Sequence, residues 1–348
     1  MHVRGIKMIE KTVFTNEEII DVMKTNYNIA VDHVEKLNQG SANLYSLNGN
    51  KYILKEFQST YTMREIDNEI AIINRLREDN IPVPEYVKTL NGDYNVIYKG
   101  RIVIVQRYID GYTVKSNTGN FIQMLESAEY LGRIIQSLKT LNLDLPSNDV
   151  STWLSREAMN ESIEKLKNLF AKISKTKYPQ IAKDLTDKIF MLKYIKDNFA
   201  FKDVGELTIM NTHGDYSVLQ FIYKEGKIKA ILDFASACKM PIVWEVIRSY
   251  SYIDKNAKEG KIDIQHFVKY VKTFTKYVPL NSTDLKYMPY IYLVQLLESS
   301  FGYKQYIDDD SKKNLLEFAY FRTRLCRNLF ENADEIANVL IKEFERCL

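Results

Sequence analysis

Cysteine is scarce in this chain, with three in 348 residues: Cys238, Cys326 and Cys347. The number is odd and no two are spaced C-x-x-C, which argues against a disulfide framework or a structural zinc site and for a reducing compartment, so the expected location is the cytoplasm. Histidine is scarce too, and His2, His33 and His266 stand alone, so no metal cluster is suggested. A dominant charge sign is missing: the net charge is only +3 and no basic cluster stands out, so no nucleic-acid partner is expected. Long apolar runs are absent, none approaching ~18 uncharged residues, so no membrane span is expected. The N-terminal stretch MHVRGIKMIEKTVFTNEE lacks the apolar centre of a secretory signal. There are no internal repeats or low-complexity tracts. With 45% hydrophobic and 27% charged residues, disorder is not indicated. The length suits two or three domains or lobes at roughly 100–200 residues each.

The first ~110 residues mix helix and strand signals, with boundary errors of about 2–4 residues. Residues 16–27 have the pattern of an amphipathic helix, and 62–78 more clearly so, with Ile66, Ile70, Ile73 and Leu76 at helical spacing. Between them lie short apolar runs and two turns, Asn38–Gly40 and Asn48-Gly49-Asn50. Asn-Gly is a strong hairpin signal, and the strand that follows, Lys51–Phe57, puts Ile53, Lys55 and Phe57 on one face. Asn95–Tyr98 and Arg101–Tyr108, split by Lys99-Gly100, form a second hairpin, and Asp110-Gly111 breaks the chain. Beyond it helices are predicted at 120–141, 152–174, 179–199, 241–257, 262–277, 284–305 and 311–347. One β-like island, Leu219–Asp233, interrupts them.

That island carries the chemistry. His213-Gly214-Asp215 is followed by Gln220, then by a hairpin centred on Glu225-Gly226, then by Asp233-Phe234. Counting back from the turn pairs Tyr223 with Ile228, places Gln220 opposite Ile231, and gathers Asp215, Gln220 and Asp233 at one end. Two carboxylates and an amide oxygen so placed suit phosphoryl transfer. One carboxylate accepts a hydroxyl proton, while the other and the amide hold magnesium on nucleotide phosphates.

The frame H-G-D, four residues, amide, hairpin, I/L-D-F resembles the aminoglycoside phosphotransferase/choline kinase superfamily over about residues 30–255. That resemblance implies an α+β, protein-kinase-like two-lobed fold, with a β-rich nucleotide-binding lobe at 1–109 and a helical catalytic and substrate-binding lobe at 110–348. It implies Asp215 as base, His213 as support for the catalytic loop, and Asp233 and Gln220 as Mg2+ ligands. Gln220 and Leu232 depart from the usual Asn and Ile. The fold also calls for a strand lysine and a helix carboxylate, read as Lys55 with Glu69, Glu65 being second choice. The loop holding Gly40, Ser41 and Asn43 would cover the phosphates, and Gln106 and Tyr108 lie in the hinge that holds the nucleobase. ATP or GTP would be the donor and a small-molecule hydroxyl the acceptor. The alternative is a catalytically weak binding protein similar to the family's spore-coat relatives. Trp244 and Arg248 read as packing or anchoring residues, and Glu298 with Asp308–Asp310 as a solvated acidic turn, the alternative being attraction of a cationic substrate. The oligomeric state is left open.

Overall fold

A computed structural model describes residues 10–37, 42–148, 150–173, 177–202 and 204–345. The chain opens with α1 (Asn16–Tyr27), β1 (Val34–Leu37), β2 (Asn43–Leu47), β3 (Tyr52–Glu56), α2 (Met63–Glu78), β4 (Asn95–Tyr98) and β5 (Arg101–Arg107). Both helices begin on a capping box, Thr15 with Glu18 and Thr62 with Glu65, each satisfying two backbone donors that a helix start leaves open. The five strands form one antiparallel sheet in the order β1-β2-β3-β5-β4. Period-two alternation splits its side chains between two cores. Tyr45, Leu47, Leu54, Val103 and Val105 pack under α1, while Phe57, Ile102 and Ile104 face α2 through Ile66, Ile70 and Ile73.

The larger part is helical. It comprises α3 (Phe121–Leu138), α4 (Val150–Trp153), α5 (Arg156–Lys172) and α6 (Pro179–Asn198). After the site strands come α7 (Ile242–Ile253), α8 (Ile264–Phe274), α9 (Ser282–Glu298), α10 (Tyr303–Asp308) and α11 (Lys313–Glu345). The helix expected at 152–174 breaks at Leu154-Ser155, where the Ser155 side chain caps α5. The one expected at 284–305 stops at Glu298, and α10 restarts after Gly302.

Between α6 and α7 lie four short strands: β6 (Ile209–Thr212), β7 (Phe221–Lys224), β8 (Lys227–Ile231) and β9 (Cys238–Pro241). The β7–β8 hairpin is the expected one, with Tyr223 opposite Ile228. Its far end needs a correction. Lys229 is an extra residue on β8, so Ile222 faces Ala230 and Phe221 faces Ile231. Gln220 therefore sits opposite Leu232, whose N–H donates to the Gln220 carbonyl at 2.8 Å, one residue closer to Asp233 than the count implied. The pair β6–β9, which brackets the hairpin, was not expected at all.

The hairpin ties the two parts together. The Ile231 N–H donates to the carbonyl of Pro82 in the loop after α2, at 2.9 Å, and Tyr112 and Tyr223 exchange two backbone bonds of 2.8 Å. Gly111 permits that close approach, since a Cβ there would lie 2.5 Å from the Tyr223 carbonyl oxygen.

Candidate active site

Lys55 lies on β3 and Glu69 on α2, and their side chains meet at 3.1 Å. The same Glu69 oxygen accepts from the Tyr86 hydroxyl at 2.7 Å. Burial pulls the Lys55 ammonium down, but the carboxylates of Glu69 and then Asp233 more than reverse this, so its pKa lies above the ordinary value and it remains cationic. Glu65, the second choice, is held by its capping box and accepts from the Thr62 N–H at 2.8 Å.

The loop of residues 213–216 carries the candidate base. His213 is fully buried. Its Nε2 lies 2.9 Å from the Leu232 carbonyl, and its Nδ1 accepts from the Asp215 N–H at 3.3 Å. A neutral ring protonated on Nε2 satisfies both contacts. One imidazole thus ties the loop that carries Asp215 to the strand end that carries Asp233. Asp233 has a left-handed backbone, φ 63°, where the chain leaves β8.

Each oxygen of Asp215 is engaged. Oδ2 accepts from the Gln220 amide at 3.0 Å, and Oδ1 accepts from Arg248 on α7. The Asp215 side chain is still 41% exposed, so a hydroxyl can reach it. Arg248 also donates to the Tyr216 carbonyl at 2.8 Å and lies over the rings of Trp244 and Tyr252. Reading Arg248 as a structural anchor is therefore corrected: it touches the candidate base. Trp244 is buried, as a structural residue would be. A second residue of α7 was missed. Glu245 is fully buried, accepts from the Tyr216 N–H at 3.0 Å, and has its carboxyl pKa raised by that burial. Charged residues inside the apolar run IVWEVIRSYSYI were the available signal.

The remaining candidates are placed differently. Gly40 and Ser41 lie outside the described residues. Asn43 is buried, and its side-chain amide donates to the Glu10 carbonyl at 3.0 Å rather than facing the cleft. Gln106 is paired on β5 with Ile53 and bridged to Tyr86. The Tyr108 N–H donates to the Lys51 carbonyl at 3.0 Å.

Magnesium, the implied metal, finds oxygen donors here. Asp233 offers a carboxylate, and with the Gln220 amide nitrogen on Asp215 its amide oxygen is left to accept. Among the described residues no group of three or more His, Cys, Asp or Glu could hold a metal ion. Two protein oxygens completed by phosphates and water are the usual arrangement for this hard cation.

Residues 33–264 match the phosphotransferase enzyme family (APH). The chain belongs to that family. The homoserine kinase of Zymomonas mobilis is 23% identical over 207 residues, which is 58% of this chain and 57% of that relative, so the chain spans little more than half the length of the curated relative it matches. Among solved structures, an aminoglycoside phosphotransferase from Alicyclobacillus acidocaldarius superposes with a TM-score of 0.63 at 12% identity, covering 94% of this chain and 98% of its own. A spectinomycin phosphotransferase in complex with ADP and spectinomycin gives a TM-score of 0.60 at 14% identity, covering 95% and 99%. This phosphotransferase-family chain has their protein-kinase-like α+β fold, a small antiparallel sheet joined to a larger helical part. No helix among its described residues is long and apolar enough to cross a membrane.

Glu298, read as solvated, is not. Its Oε1 is buried without a hydrogen-bond partner among the described residues, and burial raises its pKa from 4.5 to about 7. The proton is therefore held more tightly by the folded chain than by the unfolded one. Stability falls as pH rises from 4.5 through 7, by roughly 3 kcal/mol in full. Glu298→Gln is expected to melt above the wild type at pH 8, with the advantage shrinking towards pH 5. Melting curves across that range check it, and a gain that does not vary with pH refutes it. Asp308–Asp310 are exposed, as expected.

Proposed function

We propose that the chain transfers the γ-phosphoryl group of ATP to a hydroxyl of a small molecule. One observation carries the reading. The Lys55 ammonium, paired with Glu69, senses the charge of Asp233, and His213 ties the strand end before Asp233 to the loop of Asp215, a carboxylate fixed on both oxygens yet open to solvent. A phosphate site and a hydroxyl site so placed serve a reaction whose loose transition state asks the protein mainly for positioning and charge.

In this reading Lys55 holds nucleotide phosphate oxygens and Glu69 fixes Lys55. Asp233 and the Gln220 amide oxygen would hold Mg2+, which neutralises charge on the phosphates when bound. Asp215 accepts the hydrogen bond of the acceptor hydroxyl and takes its proton as the new O–P bond forms. The bond from the γ-phosphorus to the bridging oxygen breaks, and that oxygen leaves with ADP. Arg248 and Gln220 keep Asp215 aimed, and His213 keeps its loop at a set distance from Asp233. The ADP-bound spectinomycin phosphotransferase supports an adenine nucleotide, and the homoserine kinase relative supports an alcohol acceptor. The formed Lys55–Glu69 pair weighs against a decayed, binding-only site.

The test is transfer of label from γ-labelled ATP to a panel of hydroxyl compounds, with Asp233→Asn beside the wild type. The variant removes a charged oxygen from a hard cation. Its nucleotide affinity is expected to fall in Mg2+ and to match wild type in EDTA. Unchanged Mg2+-dependent affinity refutes the assignment of Asp233, and absence of transfer to every hydroxyl refutes the reaction.

A further inference from the structure

Two buried cations, neither ion-paired to a carboxylate among the described residues, meet at Ser299, where α9 ends. Arg322 on α11 is 9% exposed, and its guanidinium lies over the Phe318 ring at 5.6 Å. Its Nη1 reaches the Ser299 hydroxyl at 3.3 Å, and its Nε is buried without a hydrogen-bond partner among the described residues. Lys188 on α6 is 2% exposed and donates to the carbonyl of the same Ser299. Among the described residues neither cation has a carboxylate within ion-pair distance. The nearby acids Asp184 and Asp187 both bind Arg327 at 2.6 Å, and Asp184 also accepts from Gln180 and Tyr303. Cys326 is buried beside them, and burial raises its thiol pKa. Burial lowers the Lys188 ammonium to about 8; Cys326 and Asp184 work against that fall and the Arg322 charge adds to it. Ser299 caps α9, and the negative end of a helix dipole answers about half of one charge. Lys188, Arg322 and Arg327 stand against Asp184 and Asp187, three cations to two carboxylates, so one positive charge is answered only in part by the helix end, and buried charge is costly unless paired.

A wall runs from here to the candidate base. Phe318 stacks on Tyr252 at 5.7 Å, Tyr252 carries Arg248 at 5.2 Å, and Arg248 is bonded to Asp215. Ser299, Ser300, Phe301 and Phe318 are partly exposed along it. Resting on the phosphotransferase reading, we propose that Arg322, with Lys188 and the Ser299 hydroxyl, is an anion subsite for a carboxylate or phosphate on the acceptor. The acceptor is then an elongated molecule with its reacting hydroxyl at one end and its acidic group at the other.

The experiment compares the full chain with Arg322→Met. Thermal melts are run in inorganic phosphate, in malonate, and in chloride at equal ionic strength. Wild type is expected to be stabilised by phosphate or malonate beyond chloride, and the variant to lose that shift. Without added oxyanion the variant is expected to melt at or above wild type, because a methionine replaces a charge that lacks a counter-ion. A variant that melts lower, with no anion-specific shift in wild type, makes Arg322 a helix cap and overturns the subsite. Acidic alcohols are then assayed against their neutral esters as acceptors. A preference for the acids, with KM raised about 10- to 100-fold in the variant and kcat kept, supports the subsite. Transfer to neutral hydroxyls without that preference removes the acceptor role and leaves the kinase reading. An anion-specific shift with no transfer to any hydroxyl removes the kinase reading and leaves an anion site.

Discussion

Asp215→Asn is expected to cut turnover by about 10²–10⁴-fold while nucleotide affinity stays near the wild-type value, the usual cost of losing a general base. Asparagine keeps the shape of the side chain and an oxygen for Arg248, so the loop held by His213 need not move. What it removes is a charge and a proton acceptor. The nucleotide is assigned to Lys55 and Asp233 and the acceptor hydroxyl to Asp215, which is why binding and turnover should separate. Arg248, held by Asp215, the Tyr216 carbonyl and two aromatic rings, loses its ion-pair partner, so a modest fall in melting temperature accompanies the change. Single-turnover rates with a competent acceptor, beside titrations of nucleotide in Mg2+, measure both quantities. Turnover that survives the substitution unchanged would refute the role of Asp215, and equal losses of affinity and rate would move it to the nucleotide site.

Gly214→Ala is expected to damage both stability and activity. Gly214 has φ 79°, a left-handed backbone, and a Cβ there would lie 1.9 Å from the Ser236 carbonyl oxygen. That oxygen is backbone, so no side chain can rotate to make room. Either the Asp215 loop or the segment after Asp233 must shift. The left-handed penalty together with the overpacking suggests a loss of about 2–5 kcal/mol. In any fraction that folds, a misplacement of about 1 Å between the two carboxylates can cost roughly 10²-fold in rate. Melting temperature and specific activity are read on the same preparation. Wild-type values for both would show that the loop has room that its geometry denies.

The parts of this site that could be read in advance are those written in local sequence. The Asn48-Gly49 turn and the His213-Gly214-Asp215 frame are short patterns with a direct physical cause. Lys55 and Glu69 were legible because a strand and the next helix fix which faces meet. What was not legible depends on residues far apart in the chain. Strands β6 and β9 have four residues each, no turn joins them directly, and their partner register, Ile209 with Pro241 to Thr212 with Cys238, leaves no periodic trace. The bulge at Lys229 displaced the hairpin count by one because alternation alone does not record an inserted residue. Arg248 was read with Trp244 as a packing or anchoring residue, and nothing local to the helix records its contact to Asp215, 33 residues upstream. Glu298 looked like surface because composition cannot tell a wet carboxylate from a dry one.

The amide of Tyr216, the residue after the candidate base, donates into the fully buried carboxylate of Glu245, which belongs to α7. Solvent reaches that proton only when α7 comes off the loop, so its hydrogen-exchange rate measures how often the two separate. The loop is closed by a helix that follows it in the chain. A nascent polypeptide therefore holds the whole H-G-D frame before it holds the acceptor that orders it. The catalytic geometry is acquired late in synthesis, and a slow-exchanging Tyr216 amide marks the moment it has been.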